Sequence, residues 1–305
     1  MKNDKTIRKD TEIRLSKEET DRIVKNISAV SVGGNVLLVV FKMIAGILGH
    51  SGARVSDAVH SLSDVLSTVV AVVGVKISQK TADRNHPYGH ERLECVAAIF
   101  LAAILFATGA GIGYSALQNI IQGNVSEVPG MIALIAAVVS ILTKEAMYRY
   151  TKVCAIRIHS SAFLADAWHH RSDALSSIGA LIGIAGARMG YPVLDQLAGF
   201  VICIFIFKVS FDILKDSLDK MLDKAADKET VKSIKSKIAE QPGVEKIDMI
   251  KTRMFGDRIY VDVEIAIKKD VTLEVAHDIA EHVHHTVEET FSEVKHIMVH
   301  MNPCD

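Results

Sequence analysis

Residues 56–64 read SDAVHSLSD and residues 165–173 read ADAWHHRSD, so one pattern, D-A-x-H-x-x-S-D, occurs twice. Each copy sets a histidine and an aspartate four residues apart: His60 with Asp64, and His169 with Asp173. On a helix that spacing puts both side chains on one face, a turn apart. Two such helices side by side offer two imidazoles and two carboxylates, a donor set suited to a tetrahedral divalent ion, zinc above all. Both copies lie in apolar runs, where an ionisable group costs at least about 2.5–3.5 kcal/mol to insert into a bilayer. Packing alone is a poor reason to repeat the pattern. Asp57 and Asp166, each three residues before its histidine, are candidates for orienting the imidazoles or lining the access path.

A second constellation is Asp83, His86 and His90 in TADRNHPYGHERLE, where Pro87 and Gly89 shape a turn and three donors could hold a structural zinc ion. A histidine-bearing loop packed on helix ends is the plainer reading. The third is Asp248, Glu264, His277 and His300, with His282, His284, His285 and His296 nearby; six of the 13 histidines fall between 277 and 300. Histidines on a solvent-facing helix are as readily surface residues. No HExxH occurs, and Glu281 with His284 makes a single ExxH where a di-iron carboxylate centre needs two. No enzyme activity is therefore expected.

These residues need elements to position them. The chain has 305 residues, 49% of them hydrophobic and 23% charged, and the charges cluster in the first 25 residues and roughly the last 90. Six segments are long and apolar enough to cross a bilayer, near 27–49, 53–79, 91–120, 129–150, 160–188 and 193–215. Lys76, Lys80, Arg84 and Arg92 lie in the 2/3 connection, and Arg149, Lys152 and Arg157 in the 4/5 connection, while the opposite side carries few basic residues. By the positive-inside rule both termini are cytoplasmic. Segments 2 and 5, which carry the paired motifs, should be central and shielded by the others.

After Asp223 the pattern changes. Residues 227–240 have helical spacing, 246–254 and 258–267 alternate as strands about Gly256-Asp257, 272–290 reads as a helix burying Val275, Ile279, Val283 and Val287, and a last strand covers 294–301. The expected fold is an α-helical membrane protein with six transmembrane helices and a C-terminal cytoplasmic α+β domain of order α-β-β-α-β. The expected divisions are a cytoplasmic tail over 1–25, a membrane domain over 26–215 and a soluble domain over 216–305. A net charge of −1 argues against a nucleic-acid partner. Cys95, Cys154, Cys203 and Cys304 form no CxxC pair and indicate neither a disulfide framework nor a thiolate zinc site. The N-terminus has no cleavable signal pattern.

The donor set also implies coupling. Neutral imidazole binds metal and imidazolium does not, so protons and metal compete for one site. Exposed alternately to each side, that site would exchange metal leaving the cytoplasm for entering protons. A membrane metal sensor or scaffold that binds without moving its ion is the competing class.

Six spans, cytoplasmic termini, the HSLSD and HHRSD motifs, the HPYGHER loop and the closing HMNPC together resemble the cation diffusion facilitators, a family that includes proton-coupled zinc transporters. The resemblance implies that His60, Asp64, His169 and Asp173 are the transport ligands and that Asp83, His86 and His90 form a loop site. It implies a homodimer in the bilayer, with a metallochaperone-like cytoplasmic domain that binds regulatory metal through Asp248, Glu264, His277, His300 and Asn302. Glu264 stands where a histidine is common and Asn302 where an aspartate is common, which weakens that last site. It implies as well an interface charge pair between Arg92 and Asp223. Two imidazoles favour zinc over manganese, while Cd2+, Co2+, Ni2+ and Fe2+ share the donor preference. The absence of targeting extensions and of a histidine-rich 4/5 loop points to a bacterial inner membrane.

Overall fold

The computed structural model describes residues 17–48, 52–122, 131–188 and 193–304; within these, the side chains of 17, 45–63, 119–120, 131–137 and 180–199 lie outside the described set. Six long helices come first: α1 (Lys17–Leu48), α2 (Gly52–Ser78), α3 (Arg92–Gln122), α4 (Met131–Arg157), α5 (Ser161–Arg188) and α6 (Val193–Met221). Each is 27 to 32 residues long, and 27 residues of helix already span about 40 Å, more than the hydrocarbon thickness of a bilayer. α1 starts ahead of its apolar run, at Lys17-Glu18-Glu19, so its first turns are charged. The N-terminal residues 1–16, the 3/4 loop over 123–130 and the 5/6 turn over 189–192 lie outside the described residues.

α5 is largely enclosed over its described side chains, whereas α2, expected to be shielded by the others, exposes Leu66, Val69, Val73 and Ile77. α2 packs on α1, α3 and α5, and α5 packs on α2, α3 and α4. Outward faces carry Leu37, Phe100, Leu142 and Val153, each more than half exposed, as expected of apolar side chains that meet lipid. Inside are Val24, Ile27, Ala71, Val75, Ala98, Leu101, Leu105, Phe163 and Ile206. Small residues set the closest approaches. A Cβ on Gly113 of α3 would lie 2.6 Å from Cys203 Sγ of α6, and one on Gly109 would lie 2.9 Å from Ile206 Cγ2, so α6 sits against a glycine-lined face. All four cysteines are free.

From Asp219 the chain forms a second compact unit. α7 (Lys228–Ala239) is followed by β1 (Lys246–Phe255), β2 (Arg258–Lys268), α8 (Leu273–Thr290) and β3 (Val294–Cys304). Asp227 caps α7 by accepting from the Glu229 and Thr230 amides, and Thr272 caps α8 by accepting from Val275 N. The sheet order is β1-β2-β3, with β1 antiparallel and β3 parallel to β2. Gly256, at φ 66°, and Asp257 make the two-residue turn between β1 and β2. Ile234 and Ile238 of α7 and Val283 and Val287 of α8 pack on Ile259, Val261, Val263 and Ile265 of β2. The expected α-β-β-α-β order stands, with one correction in α8. Its buried stripe is Ala276, Ala280, Val283 and Val287, while Val275 is 46% exposed. Val283 and Val287 are buried as expected and Ile279 is partly buried against the same core, so the correction is confined to the first turn, where Ala276 takes the inward place expected of Val275.

Candidate metal centre

Asp64 on α2 and His169 with Asp173 on α5 meet at the seam between those helices. One donor atom from each lies within 4.8 Å of the other two. His169 Nε2 is 3.2 Å from Asp64 Oδ1, and both side chains are almost fully buried. Burial of this kind requires charge to be answered by charge. His60 is one turn before Asp64 on the same helix; its side chain, like that of Asp57, lies outside the described residues.

The answering charge is Lys144 of α4. Its Nζ donates to Asp64 Oδ2 at 2.8 Å, to Asp173 Oδ2 at 2.8 Å and to Asn35 Oδ1 at 3.1 Å. Sequence reasoning passed over this residue, although position 144 falls inside the expected span 129–150. A lysine that close to an apolar run was itself a signal. From Asn35 the network continues through Thr68, which accepts from Asn35 Nδ2 at 3.0 Å and donates to Asp166 Oδ1 at 2.9 Å. Asp166 is fully buried and its other oxygen faces His170 Nε2 at 3.5 Å. It meets the site through Thr68 and Asn35. Next to Lys144, Glu145 binds Arg171 of α5 and Arg149 of its own helix.

The loop donors Asp83, His86 and His90 also come together. Asp83 Oδ1 is 3.3 Å from His86 Nδ1, Asp83 Oδ2 is 3.4 Å from His90 Nε2, and the two rings are 4.4 Å apart. The His86 and Asn85 amides donate to Asp83 Oδ1 at 2.8 and 3.0 Å. The His86 amide, with the Lys80 ammonium beside it, holds the Asp83 carboxyl well below the usual carboxylate range. Gly89, at φ 100°, supplies the turn that brings His90 back. His90 is buried and its Nδ1 finds no protein partner. Two imidazoles and a preoriented carboxylate fit a zinc ion.

In the C-terminal unit, Glu264 and His300 are register partners on β2 and β3. Asn302 Nδ2 donates to Asp248 Oδ2 at 3.1 Å and to Glu264 Oε2 at 3.4 Å, and Lys246 Nζ lies 2.8 Å from Asp248 Oδ1. Lys246, followed by Asn302, holds the Asp248 carboxyl below its ordinary value. His277 is exposed on α8. Within one chain these four do not form a metal-sized cluster among the described residues; the cluster found in this unit is His284, Glu288 and His296. Arg92 opens α3, and Asp223, at φ 58°, follows the end of α6.

Two family models cover the chain: the cation efflux transmembrane domain matches residues 28–222 and the cation efflux protein cytoplasmic domain matches 226–304. The chain belongs to the cation efflux family. The uncharacterized transporter MJ0449 of Methanocaldococcus jannaschii is 35% identical over 90% of this chain and 97% of its own length. The manganese efflux system protein MneP of Bacillus subtilis is 30% identical over 93% and 98%. The magnetosome protein MamB of a Magnetospira strain is 30% identical over 88% and 92%. As a cation efflux protein, the chain is a multi-pass membrane transporter of divalent metal cations. The seam between α2 and α5 gathers largely buried oxygen and nitrogen donors from Asp64, His169 and Asp173.

Proposed function

We propose that this protein exports Zn2+ from the cytoplasm in exchange for protons, at an alternating-access site made by His60, Asp64, His169 and Asp173. The observation that carries the reading is the convergence of Asp64, His169 and Asp173 donor atoms across the α2/α5 seam. His60 completes the set on the helical spacing of α2. Imidazole donors favour zinc and its neighbours, and their protonation releases the ion, which ties metal exit to proton entry. Lys144 supports an exchange mechanism: its ammonium holds Asp64 Oδ2 and Asp173 Oδ2, two oxygens the cargo would use. Ion arrival therefore requires the ammonium to swing off them.

The working unit is a homodimer with both termini cytoplasmic, divided as a tail over 1–25, a membrane domain over 26–215 and a cytoplasmic domain over 216–305, with Arg92 and Asp223 joining helices at the interface. A structural zinc ion at Asp83, His86 and His90 would stiffen the α2/α3 connection. In the cytoplasmic domain, Asn302 engages oxygens of Asp248 and Glu264 that a regulatory ion would need. Manganese is the second reading, favoured by relatives named as manganese efflux proteins, MneP and MneS.

Purified protein in liposomes, with an internal metal-sensitive dye and an imposed pH gradient, tests the whole reading. Zinc flux that grows with the gradient supports it. Flux of manganese in preference to zinc would move the assignment to the second reading. Metal binding without flux would leave a sensor or scaffold.

A further inference from the structure

His284, Glu288 and His296 belong neither to the α2/α5 seam nor to the loop, and they are distinct from Asp248, Glu264, His277 and His300. We infer that they form a separate metal site on the cytoplasmic domain, for a divalent ion of the zinc, cobalt or nickel class. His284 and Glu288 are one turn apart on α8, and His296 comes from the start of β3. His284 Nε2 and His296 Nδ1 each lie 3.1 Å from Glu288 Oε1. The three donor atoms all lie within 4.8 Å of one another. Donors bound at about 2.0–2.2 Å around a tetrahedral ion stand roughly 3.3–3.6 Å apart, so small side-chain movements seat the ion.

The carboxylate is already aimed. The Ile297 amide donates to Glu288 Oε1 at 3.2 Å, fixing it against the strand, and such an orienting hydrogen bond strengthens a ligand. The rings of His284 and His296 are 5.2 Å apart and edge to face, and Tyr260 backs His296 at 6.3 Å. Side-chain exposures of 24% for His284, 30% for Glu288 and 44% for His296 leave an entry from solvent and room for water at a fourth position. Two nitrogens and one oxygen favour zinc-like ions over Mg2+ or Mn2+. A bound ion would add to the hydrogen bonds of Glu288 and the apolar contacts of Val287 and Ile297 that already join the last turns of α8 to the first residues of β3.

Residue-resolved histidine modification of the full-length protein in detergent, with diethylpyrocarbonate and mass spectrometry, reads this site apart from the others. Titrating Zn2+ or Co2+ should protect His284 and His296 together, with one midpoint. His296→Ala should remove the protection of His284, and Glu288→Gln, which keeps a hydrogen-bond acceptor, should raise the midpoint at least about tenfold. Asp173→Ala should leave both protections unchanged, which separates this site from the transport reading. Equal modification rates with and without metal would overturn the proposal, as would full protection of His284 in His296→Ala.

Discussion

Lys144 Nζ is 2.8 Å from Asp173 Oδ2 and 2.8 Å from Asp64 Oδ2, a single ammonium shared by carboxylates from two different helices. The bridge makes α4 part of the site that α2 and α5 build.

Replacing Lys144 by Met keeps length and removes charge. The metal-free protein then holds two buried carboxylates without their cation, and breaking such a pairing costs about 3–5 kcal/mol. The metal-bound form loses less, because the ion supplies positive charge. Lys144→Met should therefore lower the melting temperature without metal and enlarge the stabilisation by added Zn2+. Thermal melts across a zinc titration check this, and an unchanged metal dependence would refute the competition between ammonium and ion.

His169→Ala and Asp173→Ala each remove a donor from a converged set and should abolish zinc flux in liposomes. His282→Ala, on α8 and outside every cluster described, should leave flux within error of the parent. A flux-competent Asp173→Ala protein would place the transport site elsewhere.

Asp227 caps α7, accepting from two amides and from the Thr230 hydroxyl at 2.6 Å. These bonds, that of the Thr230 hydroxyl foremost, hold its carboxyl below the ordinary value. A depressed folded-state value means stability present above the unfolded carboxylate pKa of about 3.9 and lost as pH falls through the folded value. Asp227→Ala should cost about 1 kcal/mol at pH 7. The gap between parent and variant should narrow below about pH 4. Hydrogen exchange of the α7 amides against pH measures both.

Gly113→Ala sets a methyl 2.6 Å from Cys203 Sγ and 3.4 Å from its Cβ. Overpacking of this kind costs about 1–3 kcal/mol. In a Cys203→Ala background the sulfur is gone and the remaining contact is ordinary, so most of that cost should disappear. A double-mutant cycle on melting temperature gives the coupling directly.

The matched octapeptides disclosed the seam because membrane burial leaves few reasons to repeat two ionisable residues at helical spacing. The strands and the Gly256-Asp257 turn of the cytoplasmic domain were legible for the same local reason: alternation and turn chemistry are written in adjacent residues. Lys144 and Asn35 were not, since their roles depend on how α1 and α4 turn toward α2 and α5. His296 meets Glu288 because the short connection from α8 to β3 folds the strand's first residues back beside the helix's last turn, a geometry that no fixed helical or strand spacing announces. The stripe of α8 was misjudged at Val275 because Ala276 and Ala280 fill tight space without marking themselves as large apolar residues.

Asn35, Asp64 and Thr68 come from α1 and α2, whereas Lys144, Asp166, His169 and Asp173 come from α4 and α5. Four of the hydrogen bonds cross between these two pairs: Thr68 to Asp166, Lys144 to Asn35, Lys144 to Asp64, and His169 with Asp64. The cluster is thus a latch as well as a cradle. On the proposed transport reading, an ion that takes over Asp64 would dissolve two of these four hydrogen bonds and substitute its own contacts, so that loading the cargo and changing the grip of one half on the other would be the same event.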